Sequence, residues 1–264
     1  MSGLRTLVCV KVVPRPEEVK VNPATHTLDR VNARSMINPP DMNALEIALD
    51  LKGRHGGTVG VVTMGPRFFE EYLKLALLMG ADAGIVLSDR AFAGADTLAT
   101  SYVLARGIAR AGGADLVLCG EESSDGATGQ VPQGIAEWLE ASQITNAVTL
   151  AFRPEDRKIE AKRELAGGWE VVRSAVPVVV AVRSGANEPR FPDFGLRASV
   201  PAGAISVWDA AALETDAALI GMAGSPTSAV KLKELPRRDR KREMIPGAPD
   251  SAARELVGRL KPHL

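Results

Sequence analysis

Short apolar runs alternate with longer amphipathic stretches along the first half of the chain. Four apolar runs predict strands at 4–13, 58–63, 85–87 and 116–119. Stretches with leucine or alanine at helical spacing predict helices at 42–52, 67–79 and 97–111, with Asp41 as the N-cap of the first. This alternation predicts a doubly wound, mostly parallel, Rossmann-like α/β sheet with right-handed crossovers.

The pattern changes after Leu139. Strand-like segments at 145–152, 158–165 and 169–173 follow one another, and Gly167-Gly168 is a strong hairpin turn. We expect an antiparallel addition that leads into a central strand at 176–182. A further hairpin is predicted at 19–28. Residues from 208 onward have the character of an extension, so the expected organisation is an α/β domain at 1–207 and a C-terminal extension at 208–264.

Charge and composition narrow the function classes. Basic and acidic residues balance at 32 each, which argues against binding nucleic acid or an anionic membrane through bulk charge. Cys9 and Cys119 lie inside apolar runs, as expected of buried thiols in a reducing compartment. The N-terminus has no apolar signal-peptide core and no apolar run approaches about 18 residues. We therefore expect a cytoplasmic protein that does not insert into a bilayer. The sequence also contains no recognisable set of catalytic residues and no metal-binding cluster.

The segment after the strand at 116–119 carries the candidate chemistry. Residues 123–131, called the cradle below, are rich in glycine, hydroxyl and carboxylate residues and precede a predicted helix at 128–139. The first N–H groups of a helix have no partner within the helix, so such a place binds phosphate. The cradle has neither a Walker motif nor GxGxxG, and its spacing alone fits a nucleotide site and an ordinary capped β–α loop equally.

With these segments in place, the sequence resembles the β subunit of electron-transfer flavoprotein over essentially the whole chain. The resemblance rests on five segments: Leu7-Val-Cys-Val-Lys-Val-Val, Met36-Ile-Asn-Pro-Pro-Asp-Met-Asn-Ala-Leu-Glu, Gly80-Ala-Asp, Gly129-Gln-Val and Asn187-Glu-Pro-Arg-Phe. It implies a heterodimer with an α subunit that carries its own FAD. The complex would relay electrons from an acyl-CoA-type dehydrogenase or NADH to a further acceptor, such as a membrane quinone reductase.

The family has two branches that differ in the nucleotide of this subunit. One branch holds AMP; the other, the electron-bifurcating branch, holds a second FAD that accepts hydride from NADH. Segments 61–66, 87–97 and 224–227, together with Val131, resemble the bifurcating branch. Ala127 and Pro132 depart from it. The resemblance thus favours FAD, with AMP as the alternative, and implies NADH-oxidising activity only if the protein bifurcates electrons.

The resemblance also implies site residues. Those around the nucleotide phosphates would be Ser123, Asp125, Gly126, Thr128, Gly129, Gln130 and Val131. Cys9, Asn38, Pro39 and Asp41 would flank the adenine or ribose, Met64 and Gly65 would complete the pocket, and Asp96 and Thr97 would face a second flavin. Structural roles compete with three of these: Cys9 as a core residue, Asp41 as an N-cap and Asp96 as the cap of the helix at 97–111.

The loop at 187–199 resembles the family's recognition loop for partner dehydrogenases. Its candidate contact residues are Asn187, Glu188, Pro189, Arg190, Phe191 and Phe194. An exposed aromatic is a common anchor at interfaces, but both phenylalanines would be unavailable if they folded inward. A nucleotide-binding stress protein or an ATP-dependent ligase is the alternative of another class, because the same architecture serves both. Against the ligase, Val13-Pro-Arg-Pro stands where its phosphate-binding motif would lie.

Overall fold

The structure is a computed structural model that describes residues 3–15, 34–227 and 242–263. Its contacts divide the chain into two compact units, Met1–Lys231 and Leu232–Leu264. The first unit extends past the expected boundary at 207/208, because Leu213 and Ile220 are buried in its core. The hairpin predicted at 19–28 lies outside the described residues.

The described strands and helices follow the predicted order closely. The strands are β1 (Leu4–Cys9), β2 (Val12–Pro14), β3 (Ser35–Ile37), β4 (Gly57–Met64), β5 (Ala83–Leu87), β6 (Leu116–Gly120), β7 (Ser142–Arg153), β8 (Lys158–Leu165), β9 (Gly168–Ala175), β10 (Val178–Val182) and β11 (Ile205–Trp208). The helices are α1 (Pro39–His55), α2 (Glu70–Met79), α3 (Thr97–Arg110), α4 (Val131–Trp138) and, in the second unit, α5 (Pro249–Leu260).

A nine-stranded sheet organises the first unit, in the order β11-β5-β4-β1-β6-β10-β7-β8-β9. All neighbours from β11 to β7 pair in parallel, whereas β8 and β9 add in antiparallel fashion. A separate antiparallel pair joins β2 and β3. The predicted fold class and its antiparallel addition are confirmed.

Helices cover both faces of the parallel part of the sheet. Leu45 of α1 and Leu73 of α2 pack in the same apolar cluster as Val8 of β1. Ile108 of α3 and Ile135 of α4 pack in the opposite cluster, which contains the neighbours of Val8 along the strand. This division follows from the period of two along a strand, and it is the double winding that the sequence predicts.

Two helices begin at positions other than those predicted. Asn38, and not Asp41, is the N-cap of α1, because Pro39 and Pro40 occupy the first turn, where a missing N–H costs nothing. Similarly, α4 begins at Val131 and not at residue 128. If the helix began at 128, Pro132 would lie beyond the first turn, and its ring would clash with the backbone carbonyl four residues earlier. The cradle is therefore a loop that precedes a short helix.

Strand β11 is missing from the sequence prediction. It is short, it follows Pro201 and Gly203, and each of its residues is only partly buried, so it lacks the pattern of the central strands. It nevertheless extends the parallel sheet by pairing with β5.

Candidate functional site

The cradle lies where the strand order of the sheet reverses. From β1 the chain moves outward to β4 and β5, and then returns to β6 on the other side of β1. Ligands of doubly wound sheets bind at the carboxyl ends of the strands at such a point. Here the two carboxyl ends are Cys9 and Gly120, followed by Lys11 and by the cradle.

Asn38 joins the start of α1 to the segment that leads into the cradle. Its side-chain Nδ2 donates to the carbonyl of Glu122 at 2.8 Å, and its Oδ1 accepts from the N–H of Ser124 at 3.0 Å. Its backbone N–H donates to the carbonyl of Lys11 at 2.9 Å. Asn38 is 1% exposed, so these bonds fix the loop rigidly against the end of β1. A contact of Asn38 or Pro39 with a nucleotide stays a prediction.

Asp41 joins the two strand ends to α1. Its Oδ2 accepts from the N–H of Lys11 at 2.6 Å, and its Oδ1 accepts from the N–H of Gly120 at 2.9 Å. Burial raises the pKa of this carboxyl to about 7, although hydrogen bonds from Lys11, Asn38 and Gly120 act in the opposite direction. Asp41 therefore holds the geometry of the switch point from the third position of the helix.

Gly120 allows this close approach of helix and strand. A Cβ at this position would lie 2.6 Å from the Cβ of Pro40 and 2.8 Å from the backbone nitrogen of Asp41. No side chain fits without a shift of the α1 backbone. Sequence reasoning missed Gly120 as a site residue, although its position directly after the apolar run at 116–119 was a usable signal.

Lys11 is a second residue that sequence reasoning missed. Its Nζ donates to Asp125 Oδ1 at 2.6 Å and to Ser123 Oγ at 3.1 Å. The Asp125 side chain is 5% exposed, whereas that of Lys11 is 48% exposed. Because Lys11 follows the carboxyl end of β1, its place at the same sheet edge as the cradle could have been inferred.

The cradle backbone presents donors suited to a phosphate. The N–H groups of Gly126 and Ala127 donate to the carbonyl of Ser123, which turns the chain. Ala127 and Gly129 adopt positive φ angles of 47° and 61°. Within the described part of the chain, the N–H groups of residues 128–130 donate to no protein acceptor. Together with the Lys11 ammonium, this donor set fits the phosphate of a nucleotide.

The start of α3 adjoins the cradle. Thr97 Oγ1 donates to Gln130 Oε1 at 2.9 Å, which brings these two predicted residues together. Thr63 Oγ1 near the end of β4 and Gln133 Oε1 in the first turn of α4 are buried without a hydrogen-bond partner in the described chain.

Asp96 serves as the cap of α3, and its carboxylate also holds a distant segment. Oδ1 accepts from the N–H groups of Leu98 and Ala99, and Oδ2 accepts from the N–H and hydroxyl of Thr227. Partial burial raises the pKa of Asp96, but the Thr227 and backbone hydrogen bonds outweigh it, and the net pKa is lowered. Both oxygens thus have protein partners, and a flavin contact by Asp96 stays untested.

The remaining predicted pocket residues lie at neighbouring strand ends. Met64 ends β4, and the N–H of Gly65 donates to the carbonyl of Leu87 at 3.0 Å. Cys9 and Cys119 are free, buried thiols at the ends of the adjacent strands β1 and β6. A hydrogen bond from the Cys119 thiol to Cys9, together with burial, raises the pKa of Cys119. The side chain of Cys9 lies in the core, and the contact of Cys9 with a nucleotide stays a prediction.

The loop at 187–199 is anchored at one end and exposed at the other. Asn43 Nδ2 donates to the carbonyl and Oδ1 of Asn187, and Asn187 Nδ2 donates to the Asn43 carbonyl. Arg190 forms a bidentate ion pair with Glu46. In consequence Asn187 and Arg190 have internal partners in the described chain.

Phe191 and Phe194, by contrast, are 92% and 59% exposed. The alternative in which they fold inward is wrong. Glu188 is also exposed, and Pro189 lines a shallow apolar pocket of about 280 Å³ beside Met36 and Met42.

In residues 3–15, 34–227 and 242–263, no group of three or more His, Cys, Asp or Glu side chains could hold a metal ion. Nor does any helix in these ranges have the length and apolar character needed to cross a membrane.

Comparisons with known proteins agree with this fold. The family model for the electron transfer flavoprotein domain matches residues 25–213. The chain is 38% identical to the electron transfer flavoprotein subunit beta of Thermoanaerobacterium thermosaccharolyticum, over 97% of this chain and 98% of that protein. It is also 38% identical to protein FixA of Azotobacter vinelandii, over 92% and 88% of the two chains. The identity is again 38% with the caffeyl-CoA reductase–Etf complex subunit CarD of Acetobacterium woodii, over 98% of each.

The chain therefore belongs to the electron-transfer flavoprotein family. Within that family its relatives over nearly full length are of the β-subunit type, so its role is that of an electron-transfer flavoprotein β subunit. Membership implies a flavin or nucleotide cofactor and a heterodimer with an α subunit. The resemblance inferred from the sequence is confirmed, and the stress-protein and ligase alternatives are not supported.

Proposed function

We propose that the cradle of this β subunit binds FAD through its adenine nucleotide half. The observation that carries the proposal is the convergence at the switch point of the Lys11 ammonium, the N–H groups of residues 128–130 and a loop fixed by Asn38. Bound flavin supplies the redox chemistry, and the chain supplies binding and orientation.

The residues of the chain have distinct tasks in this proposal. Backbone N–H groups of the cradle and the Thr128 hydroxyl hold the phosphates. Asp41 and Asn38 keep the ends of β1 and β6 and the entry to the cradle in fixed positions. Because hydrogen bonds from Asp41 and Asn38 hold the backbone at the entry to the cradle, little reorganisation is needed when an anion binds.

The contact between α3 and the cradle supports FAD over AMP. Thr97 donates a hydrogen bond to Gln130, and its neighbour Asp96 accepts one from Thr227. The start of α3 and the segment at 224–227 therefore lie beside the cradle. These are the segments in which the sequence resembles the bifurcating branch. A ligand longer than AMP would extend along this border, past Thr97. AMP, which would make the subunit a carrier for a single-flavin shuttle, is the second candidate, favoured by Ala127 and Pro132.

The proposed partners follow from the exposed surfaces. Phe191 and Phe194 form the docking surface for a dehydrogenase of the acyl-CoA type, and the CoA-linked name of the CarD relative supports that class. NADH is the proposed donor if the subunit bifurcates electrons, and a membrane quinone reductase is a proposed acceptor. The C-terminal extension, with Leu256 and Val257 exposed on α5, packs on the α subunit. The complex works in the cytoplasm.

The nucleotide content of the heterodimer tests the proposal. The chain is co-expressed with its α subunit, and FAD and AMP are quantified after denaturing release. We expect two FAD and no AMP per heterodimer. In a second assay, we expect the complex to oxidise NADH. One FAD with one AMP would replace the proposal by the single-flavin shuttle, and absence of both nucleotides would overturn the nucleotide role of the cradle.

A further inference from the structure

The ammonium of Lys11 lies within the cradle on a fixed backbone. The N–H of Lys11 donates to Asp41 and its carbonyl accepts from the N–H of Asn38, so α1 pins both sides of the residue. A Cβ placed on Gly126 would lie 3.9 Å from the Nζ atom of Lys11. At the same time, the side chain is about half exposed and a ligand from solvent has access to it.

The hydrogen bonds of Lys11 leave donor capacity. An ammonium has three N–H donors. Asp125 Oδ1 and Ser123 Oγ accept from two of them. The third is directed away from these two acceptors by tetrahedral geometry, on a side chain that solvent reaches.

Carboxylates lie in and beside the cradle. Glu121, Glu122 and Asp125 lie in the segment that precedes and enters the cradle. Among the described residues, the Glu121 carboxylate accepts from the N–H of Ser184, which brings no positive charge. A phosphate bound beside these carboxylates would be repelled, and Lys11 places a positive charge among them.

We propose that Lys11 is a phosphate-binding residue of the cradle, with Asp125 and Ser123 positioning its ammonium. The inference rests on the proposed function, because it concerns the same nucleotide. The ligand chemistry is an adenosine 5′-phosphate group, which FAD and AMP share. Lysine acts there as a point charge with one hydrogen bond to a phosphate oxygen.

The test compares AMP with adenosine, which lacks the phosphate. Heterodimers are stripped of nucleotide, and the affinity for each probe is measured by isothermal titration calorimetry. In Lys11→Met the affinity for AMP should fall by about 10- to 100-fold, the loss expected for one charge-assisted hydrogen bond. The affinity for adenosine should stay unchanged. Lys11→Arg should retain most of the AMP affinity because it keeps the charge.

A double variant separates direct contact from mere neutralisation of Asp125. If Lys11 binds the phosphate, Lys11→Met/Asp125→Asn stays weak for AMP. Recovery of wild-type affinity in the double variant would overturn the proposal, as would equal losses for AMP and adenosine in Lys11→Met. The matched control is Lys52→Met, which removes an ion pair of the same 2.6 Å length, with Asp82, near the other end of α1. It should leave both affinities unchanged.

The inference and the proposed function fail in different ways. If the wild-type heterodimer binds neither AMP nor adenosine, and no FAD either, both are overturned. Should wild type bind nucleotide while Lys11→Met binds AMP equally well, only the inference about Lys11 is overturned.

Discussion

Asp41 shows how a single buried carboxyl couples protonation to the geometry of the site. It contacts the backbone at the ends of both central strands, yet burial raises its pKa to about 7 from a usual value of 3.8. Between these two pH values the folded chain retains a proton that the unfolded chain has lost. Its contribution to stability is therefore full below about pH 4 and declines as the pH rises through about 7.

Replacement of this carboxyl should remove that pH dependence. The free energy of unfolding of wild type, relative to Asp41→Asn, should decrease by about 1.4 kcal/mol per pH unit between pH 5 and 7. Above pH 8 the difference should become constant. Urea denaturation at fixed protein concentration from pH 5 to 9 checks this. Parallel curves for the two proteins would show that Asp41 titrates normally in the folded chain.

Gly120 gives a second expectation at the scale of one residue. Gly120→Ala would push its Cβ against Pro40 and the backbone of Asp41, and should lower the free energy of unfolding by roughly 1–3 kcal/mol. The matched control is Gly53→Ala near the end of α1, where an added Cβ meets nothing within 4 Å. That change should stabilise by about 0.5–1 kcal/mol through helix propensity. Equal effects of the two substitutions in urea denaturation would contradict the close approach at Gly120.

Side-chain roles at the site were predictable where they depend on local sequence. Asp96 caps the helix that follows it, as its position before Thr97 predicts. The contact between Lys11 and Asp125 joins residues 114 positions apart, and no local pattern encodes that pairing. For Asp41 the helix start was judged from the preceding prolines, but prolines belong inside the first turn, which moves the cap to Asn38.

At the scale of elements, the central strands and their helices were predictable because burial on both faces gives continuous apolar runs. Elements at the edge of the sheet have a weaker pattern of apolar residues. Strand β11 has no fully buried residue, and its pairing with β5 depends on tertiary contact alone. The capping pattern predicts a start of α4 at 128, but the steric constraint of Pro132 moves the start to Val131.

The anchored loop gives a prediction for an element. Glu46 is partly buried, which raises its pKa, but the ion pair and hydrogen bonds with Arg190 outweigh this and the net pKa is lowered. Glu46→Gln should speed amide exchange of residues 188–193 by roughly 3- to 10-fold, since it weakens a charge-assisted bidentate contact. Hydrogen exchange with mass spectrometry measures this. Glu71→Gln, which removes an exposed ion pair with Lys74 on α2, should leave the loop unchanged. Unaltered exchange in Glu46→Gln would mean that Asn43 and Asn187 suffice to hold the loop.

At the scale of the whole molecule, the cradle and the exposed phenylalanines of the loop at 187–199 are separate features. The cradle is a polar loop held by Asn38, and its N–H groups at 128–130 donate to no acceptor in the described chain, whereas Phe191 and Phe194 expose large apolar side chains. Large exposed aromatics of this kind are characteristic of interaction sites. Docking and nucleotide binding should therefore respond to different substitutions.

Two paired variants test this separation. Phe191→Ser/Phe194→Ser should retain the α subunit and the nucleotides, but slow electron transfer from an acyl-CoA-type dehydrogenase by about 10- to 100-fold, the effect of losing an interface hot spot. Leu256→Ser/Val257→Ser on α5 should instead reduce the amount of α subunit that co-purifies, and leave the rate per remaining heterodimer unchanged. Size-exclusion chromatography and stopped-flow reduction measure the two quantities on the same preparations. Loss of the α subunit in the phenylalanine variant would place the loop at the heterodimer interface, and would contradict its assignment to the dehydrogenase.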